Sequence, residues 1–162
     1  MSRINTILKA LKNKGVDKYL IKEETVESSQ CFYVLQKLET KRVVETLEEV
    51  VTVYKEFEDE KGKYLGSSNF KIEHKMSIKE LESAIDDALY AASFVKNPYY
   101  ELVKGEKSKK VSVKCENEIP FEVLDNIANI YINESTSNVK FNSLELFYNR
   151  YIVHLINSEG VN

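Results

Sequence analysis

Apolar and polar positions along the chain follow two rhythms, one of about 3.6 residues and one of two, and the changes between them mark the elements. Ile4, Ile7, Leu8 and Leu11 recur at helical spacing, with Ser2 placed to cap and Gly15 where a left-handed C-terminal residue belongs. The pattern predicts a short amphipathic helix from about Arg3 to Lys14. Its Lys9, Lys12 and Lys14 lie towards the end where the helix dipole favours cations, and they read as a solvated face. From Lys18 to about Glu73 the rhythm is that of strands. Lys18–Lys22 and Cys31–Leu35 are rich in aromatic and branched residues and predict two strands, joined by a turn through Glu27, Ser28, Ser29 and Gln30. Val50–Tyr54 and Asn69–Glu73 predict another pair, with Gly62 in the charged hairpin end Glu58–Lys63. Between the pairs, Lys41–Val51 favours a helix by propensity but carries five β-branched residues, which predict mostly strand. The whole region reads as a meander of four or five antiparallel strands.

Ser77 opens the clearest helix. With Glu80 it makes an S-x-x-E capping box, and Ile78, Leu81, Ile85, Leu89, Ala92 and Val95 then form one apolar stripe. Ala84, Ala88, Ala91, Ala92 and Ser93 let that helix approach a sheet closely, and Pro98 stops it by turning Asn97 away from helical geometry. Residues 104–110 form a basic connector. Val111, Val113 and Cys115 alternate with polar residues as a short strand, and Pro120 starts a second helix with Phe121, Leu124, Ile127, Ala128 and Tyr131 on its buried face. A loop, Asn133–Asn138, leads to two closing strands, Val139–Phe147 and Tyr151–Ile156, joined by a turn near Asn149. The expected architecture is α+β: an antiparallel β-meander packed against a long amphipathic helix, with additional short helices and C-terminal strands, in one domain over 1–162.

Composition narrows the function classes more than it names one. The chain has 162 residues, enough for one domain with a real core, and 23 Lys+Arg against 26 Asp+Glu give a net charge of −3. That balance speaks against a nucleic-acid binder, which needs a strongly basic face. No apolar run approaches the length of a membrane span, and the first residues lack the apolar core and cleavage site of a secretory signal. Cys31 and Cys115 fit no CxxC pattern and predict reduced thiols in a cytoplasmic chain.

Candidate chemistry is sparse. His74 and His154 stand far apart in sequence and would need further ligands to hold a metal. Cys115 and His154 could meet as a nucleophile and base, with nothing beyond their presence to support it, and both cysteines read more readily as small core residues. The common catalytic and nucleotide-binding motifs are absent. Acidic pairs such as Glu48-Glu49 and the run Glu58-Asp59-Glu60 read as solvated surface, and Asp86 and Asp87 diverge around their helix. Tyr99 and Tyr100, after the helix stop, read either as a binding rim or, more plainly, as pins for the post-helix turn.

The hairpin TVYKEFEDEKGKYLGSSNFKIEH, the helix SIKELESAIDDALYAASFVKNPYYEL and the closing IVHLINSEGVN, in that order, resemble the N-terminal region of the TldD/PmbA family. Its members are described as zinc-dependent peptidases and formerly as modulators of DNA gyrase. In that family the zinc sits on an HExxxH motif and a further cysteine of the C-terminal half. This chain has no such motif, so the resemblance implies a non-catalytic domain with no catalytic or metal-binding residue of its own, zinc being expected only in a C-terminal half. The chain then reads as a truncated protein, an excised domain, or a free-standing N-terminal homologue. Implied partners are a C-terminal peptidase domain or sister subunit, as a dimer in the full-length protein, and an unfolded peptide substrate, with no nucleic acid and no membrane.

Extended substrates suit sheet edges, where main-chain hydrogen bonds tolerate varied side chains. Within Leu65–Ile72 the small, polar Gly66, Ser67, Ser68 and Asn69 are the expected peptide-binding residues, with a β-bulge at Gly66 as the plain alternative. Two further readings remain: a free-standing interaction module that binds a partner through a sheet edge, and a cysteine enzyme built on Cys115.

Overall fold

The computed structural model describes residues 3–106, 119–134 and 139–162. Among them the elements run α1 (Arg3–Asn13), β1 (Lys18–Val34), β2 (Lys37–Asp59), β3 (Gly62–Lys71), α2 (Ile78–Ala92), α3 (Pro120–Glu134) and β4 (Ser143–Asn157). The strands make an antiparallel sheet in the order β3-β2-β1-β4, so β1 to β3 form a meander and β4 returns beside β1. This is the α+β class the sequence predicts. The described residues gather into two compact units, those within Met1–Glu24, Glu48–Ser108 and Val153–Asn162, and those within Thr25–Leu47 and Lys109–Ile152; β1, β2 and β4 contribute to both.

In the first unit, Ile7, Ala10 and Leu11 of α1 meet Leu81, Ile85 and Ala88 of α2 over Ile21, Val51 and Val53 of the sheet. Helix α2 starts where the capping box places it. The Ser77 hydroxyl accepts from the Glu80 amide at 3.4 Å, and the Glu80 carboxylate accepts from the Ser77 amide at 2.7 Å. The helix ends at Ala92, three residues short of the expected Val95, and the Ser93 hydroxyl donates to the Tyr90 carbonyl at 2.6 Å. A serine that bonds back to the preceding turn favours a helix end. β2 and β3 pair without a skipped residue from Val50↔Lys71 to Asp59↔Gly62, so Gly66 marks no bulge.

In the second unit α3 lays Leu124 and Ala128 on Cys31 and Tyr33, with Phe121, Leu144, Leu146 and Tyr148 around them. The buried face is narrower than its spacing predicts, since Ile127 and Tyr131 are exposed. The Tyr33 hydroxyl donates to Asp125 at 3.2 Å, and burial, reinforced by that carboxylate, pushes its pKa up to about 12.

Two expected turns are absent. The polar run Glu27–Gln30 lies inside the 17-residue β1, because Ser28 and Gln30 are satisfied laterally. Gln30 donates to the Ser28 hydroxyl at 3.0 Å and accepts from the Arg42 guanidinium at 2.6 Å. The hairpin turns instead at Leu35 and Gln36, both at positive φ (48° and 67°), as a two-residue loop of primed type demands. Likewise Asn149 continues β4, so the two closing strands are one. Lys41–Val51 is strand, within the 23-residue β2, as its β-branching predicts. Ser2, the strand expected over Val111, Val113 and Cys115, the connector residues 107–110 and the loop residues 135–138 lie outside the described residues.

Candidate functional site

β3 is an edge strand, and its main-chain groups alternate between β2 and the outside. The Leu65 amide donates outward to the Asn97 carbonyl at 3.0 Å, and the Lys63 carbonyl accepts from the Tyr99 amide at 3.2 Å. Residues 63 and 65 therefore face the outer edge, and by alternation so do Ser67, Asn69 and Lys71. The segment Asn97–Tyr99, with Pro98 bridged to Tyr64, straps the first part of that edge. Beyond it, no described residue pairs with the outward main-chain groups of Ser67 and Asn69; the Asn97 side-chain amide Nδ2 reaches only the Ser67 hydroxyl, at 3.5 Å.

Of the four predicted residues, then, Ser67 and Asn69 offer an open edge, Ser68 pairs inward opposite Val53, and Gly66 has a different neighbour. A Cβ on Gly66 would stand 1.9 Å from the Ala92 carbonyl oxygen and 2.8 Å from that of Val95. The close approach that its missing side chain permits is that of the end of α2. Beside the open edge lies a groove of about 270 Å³, lined by Ser68, Asn69 and Phe70 of β3 and by Ala84, Asp87 and Ala88 of α2. Asp86 and Asp87 diverge as the sequence predicts: Asp86 pairs with Lys14 at 2.5 Å, and Asp87 borders the groove.

The strap is held at both ends. Lys18 and Lys63 place their ammonium groups 5.2 and 3.9 Å from the centre of the Tyr99 ring, and both pair with Glu56. Those two lysines hold the Glu56 carboxyl below its usual range, Lys18 contributing first, and Glu56 in turn raises both ammonium groups. Tyr100 meets Tyr54 edge-on with centroids 6.5 Å apart, and Lys96 pairs with Asp59. Tyr99 and Tyr100 thus pin the turn, the plainer of their two readings.

Sequence reasoning missed Glu49, grouped there with the solvated acids. Its side chain is 2% exposed, with Arg3 Nε 2.6 Å from Oε2 and with no partner for Oε1 among the described residues. Its phase with Val51 and Val53 was the available signal, since alternate residues share one face of a strand. Burial raises its carboxyl, Arg3 opposing.

The described residues do not fit a zinc ion. No three His, Cys, Asp or Glu side chains gather among them. His74 Nδ1 sits 3.5 Å from the Arg3 guanidinium, a poor place for a second cation, and His154 Nε2 is 2.7 Å from Asn162 Oδ1. The buried Cys31 thiol is pushed up by desolvation, away from the reactive thiolate. Among the described residues no helix is long and apolar enough to cross a membrane.

The fold is one found in structures of the TldD/PmbA family, whose N-terminal portion the sequence resembles. TldE from Thermococcus kodakarensis matches with a TM-score of 0.60 and 13% identity, over 96% of this chain and 35% of TldE. A candidate modulator of a DNA gyrase from Thermotoga maritima matches with a TM-score of 0.60 and 12% identity, over 98% of this chain and 35% of the other. At such identities the likeness is one of fold, and the chain spans about a third of the length of either protein. No family model and no curated protein sequence matches the chain.

Proposed function

We propose that this chain serves as a non-catalytic domain of the TldD/PmbA N-terminal type. It contributes to the substrate chamber and to assembly with a C-terminal peptidase domain or sister subunit, and it holds unfolded peptide in extended form along the outer edge of β3. The supporting observation is that almost the whole chain superposes on only about a third of TldE. Zinc and hydrolysis belong, in this proposal, to the partner. The open main-chain groups at Ser67 and Asn69 suit the holding role, because strand addition draws on the backbone and accepts many sequences.

Amide hydrogen exchange tests the holding role. With unfolded casein in excess, the Ser67 and Asn69 amides are expected to exchange about tenfold more slowly, or slower still, while the Leu65 amide, already bonded to Asn97, changes little. Unchanged exchange at Ser67 and Asn69 would remove β3 as the binding edge.

A further inference from the structure

The groove beside the open edge has a chemistry of its own. A strand added along Ser67–Lys71 would send alternate side chains towards α2, onto the side where Ser68 and Phe70 lie. There Ala84 and Ala88 leave room, Phe70 supplies an apolar wall, and Asp87 stands at the border. Positions 84, 87 and 88 share one face of the helix, so the carboxylate and the small residues meet the same incoming side chain. The neighbouring charges are already matched: Asp86 with Lys14 at 2.5 Å and Lys71 with Glu48 at 2.9 Å. Asp87 has no ion-pair partner among the described residues, and it leaves the groove with an uncompensated negative charge.

We propose that this groove selects extended segments carrying a lysine or arginine on the side chain turned towards α2. The alkyl stem would lie along Ala84, Ala88 and Phe70 while the charged head reaches Asp87, a division of labour that long basic side chains suit. A glutamate at the same place would meet repulsion, so the site discriminates by rejection as well as attraction. This inference rests on the proposed edge pairing and adds the charge preference to it.

The test uses the full chain and three fluorescein-labelled peptides, followed by anisotropy: Thr-Val-Lys-Val-Thr-Val, the same peptide with glutamate for lysine, and the lysine peptide N-methylated at alternate amides. The lysine peptide is expected to bind about tenfold more tightly than the glutamate peptide at low salt, a ratio that shrinks as salt screens the pair. In Asp87→Asn the ratio is expected to fall close to one, and in Asp86→Asn to persist. A ratio unmoved by Asp87→Asn, or equal binding of the lysine and glutamate peptides, overturns the charge selection and leaves the edge standing. Full binding of the N-methylated peptide, or no binding by any, overturns the edge itself.

Discussion

Gly66→Ala is expected to destabilise the protein by about 3 kcal/mol, the upper end of what one added methyl does in a packed interior. The reason is the identity of the atoms it would strike. The new Cβ falls 1.9 Å from the Ala92 carbonyl oxygen and 2.8 Å from that of Val95, and backbone at a helix end cannot rotate aside as a side chain would. Relief requires lifting the end of α2, which carries the strap and its bond from Leu65 to Asn97, or shifting β3 out of its continuous register with β2. The sign is informative, because glycine inside a strand is otherwise worse than alanine by about 0.5–1 kcal/mol. Urea unfolding should show a lower midpoint with an unchanged slope. A variant as stable as the parent would mean that α2 does not rest on Gly66.

Arg3→Ala is expected to cost about 2–3 kcal/mol near neutral pH. Removing one partner of a buried pair leaves the other charge uncompensated, commonly a loss of 3–5 kcal/mol, and the 30% exposure of the Arg3 side chain reduces it. Glu49 is 2% exposed and one of its oxygens has no partner among the described residues, so its charge has nowhere to go. The pH dependence follows from the direction of its shift. The folded pKa of Glu49 lies above its unfolded value, so its contribution to stability is fully present below the unfolded pKa and is lost as pH rises through the folded one. Without Arg3, which opposes the rise, the folded pKa climbs further. The deficit of Arg3→Ala should therefore be largest at neutral pH and shrink in acid. Glu49→Gln, which removes the charge but keeps the shape, should lose little, and added to Arg3→Ala it should restore most of the stability. Equal losses at pH 4 and pH 7 would show that Arg3 does not act through the Glu49 charge and would leave its packing and its bond to the Glu73 carbonyl as the cause.

Where a periodic pattern met unambiguous end signals, the sequence was legible. Ser77 and Glu80 fixed the start of α2, and Gly62 fixed the β2–β3 hairpin, because the bonds that define those ends lie within a few residues of one another. It was illegible where partners come from elsewhere in the chain. Ser28 and Gln30 resemble a turn until Arg42 is seen beside them, and Leu35 and Gln36 carry no turn signature because the paired strands impose their positive φ. The candidate site divides the same way. That another backbone can come close at Gly66-Ser67-Ser68-Asn69 was readable, since the stretch is small and polar; that the strand lies at the sheet edge comes from the strand order. That Gly66 meets α2 while Ser67 and Asn69 face outward depends on register and on the Asn97–Tyr99 strap, which no local pattern encodes. Asp87 acquires meaning only once Asp86 is seen paired with Lys14.

The most direct test of the proposed role is a proteolysis assay on the purified 162-residue chain with unfolded casein and added zinc, with and without a chelator. A domain that holds substrate for a partner's metal centre should leave casein intact in both arms. Digestion that the chelator abolishes would show that this chain carries a working metal site of its own, and would contradict the assignment of hydrolysis to a partner.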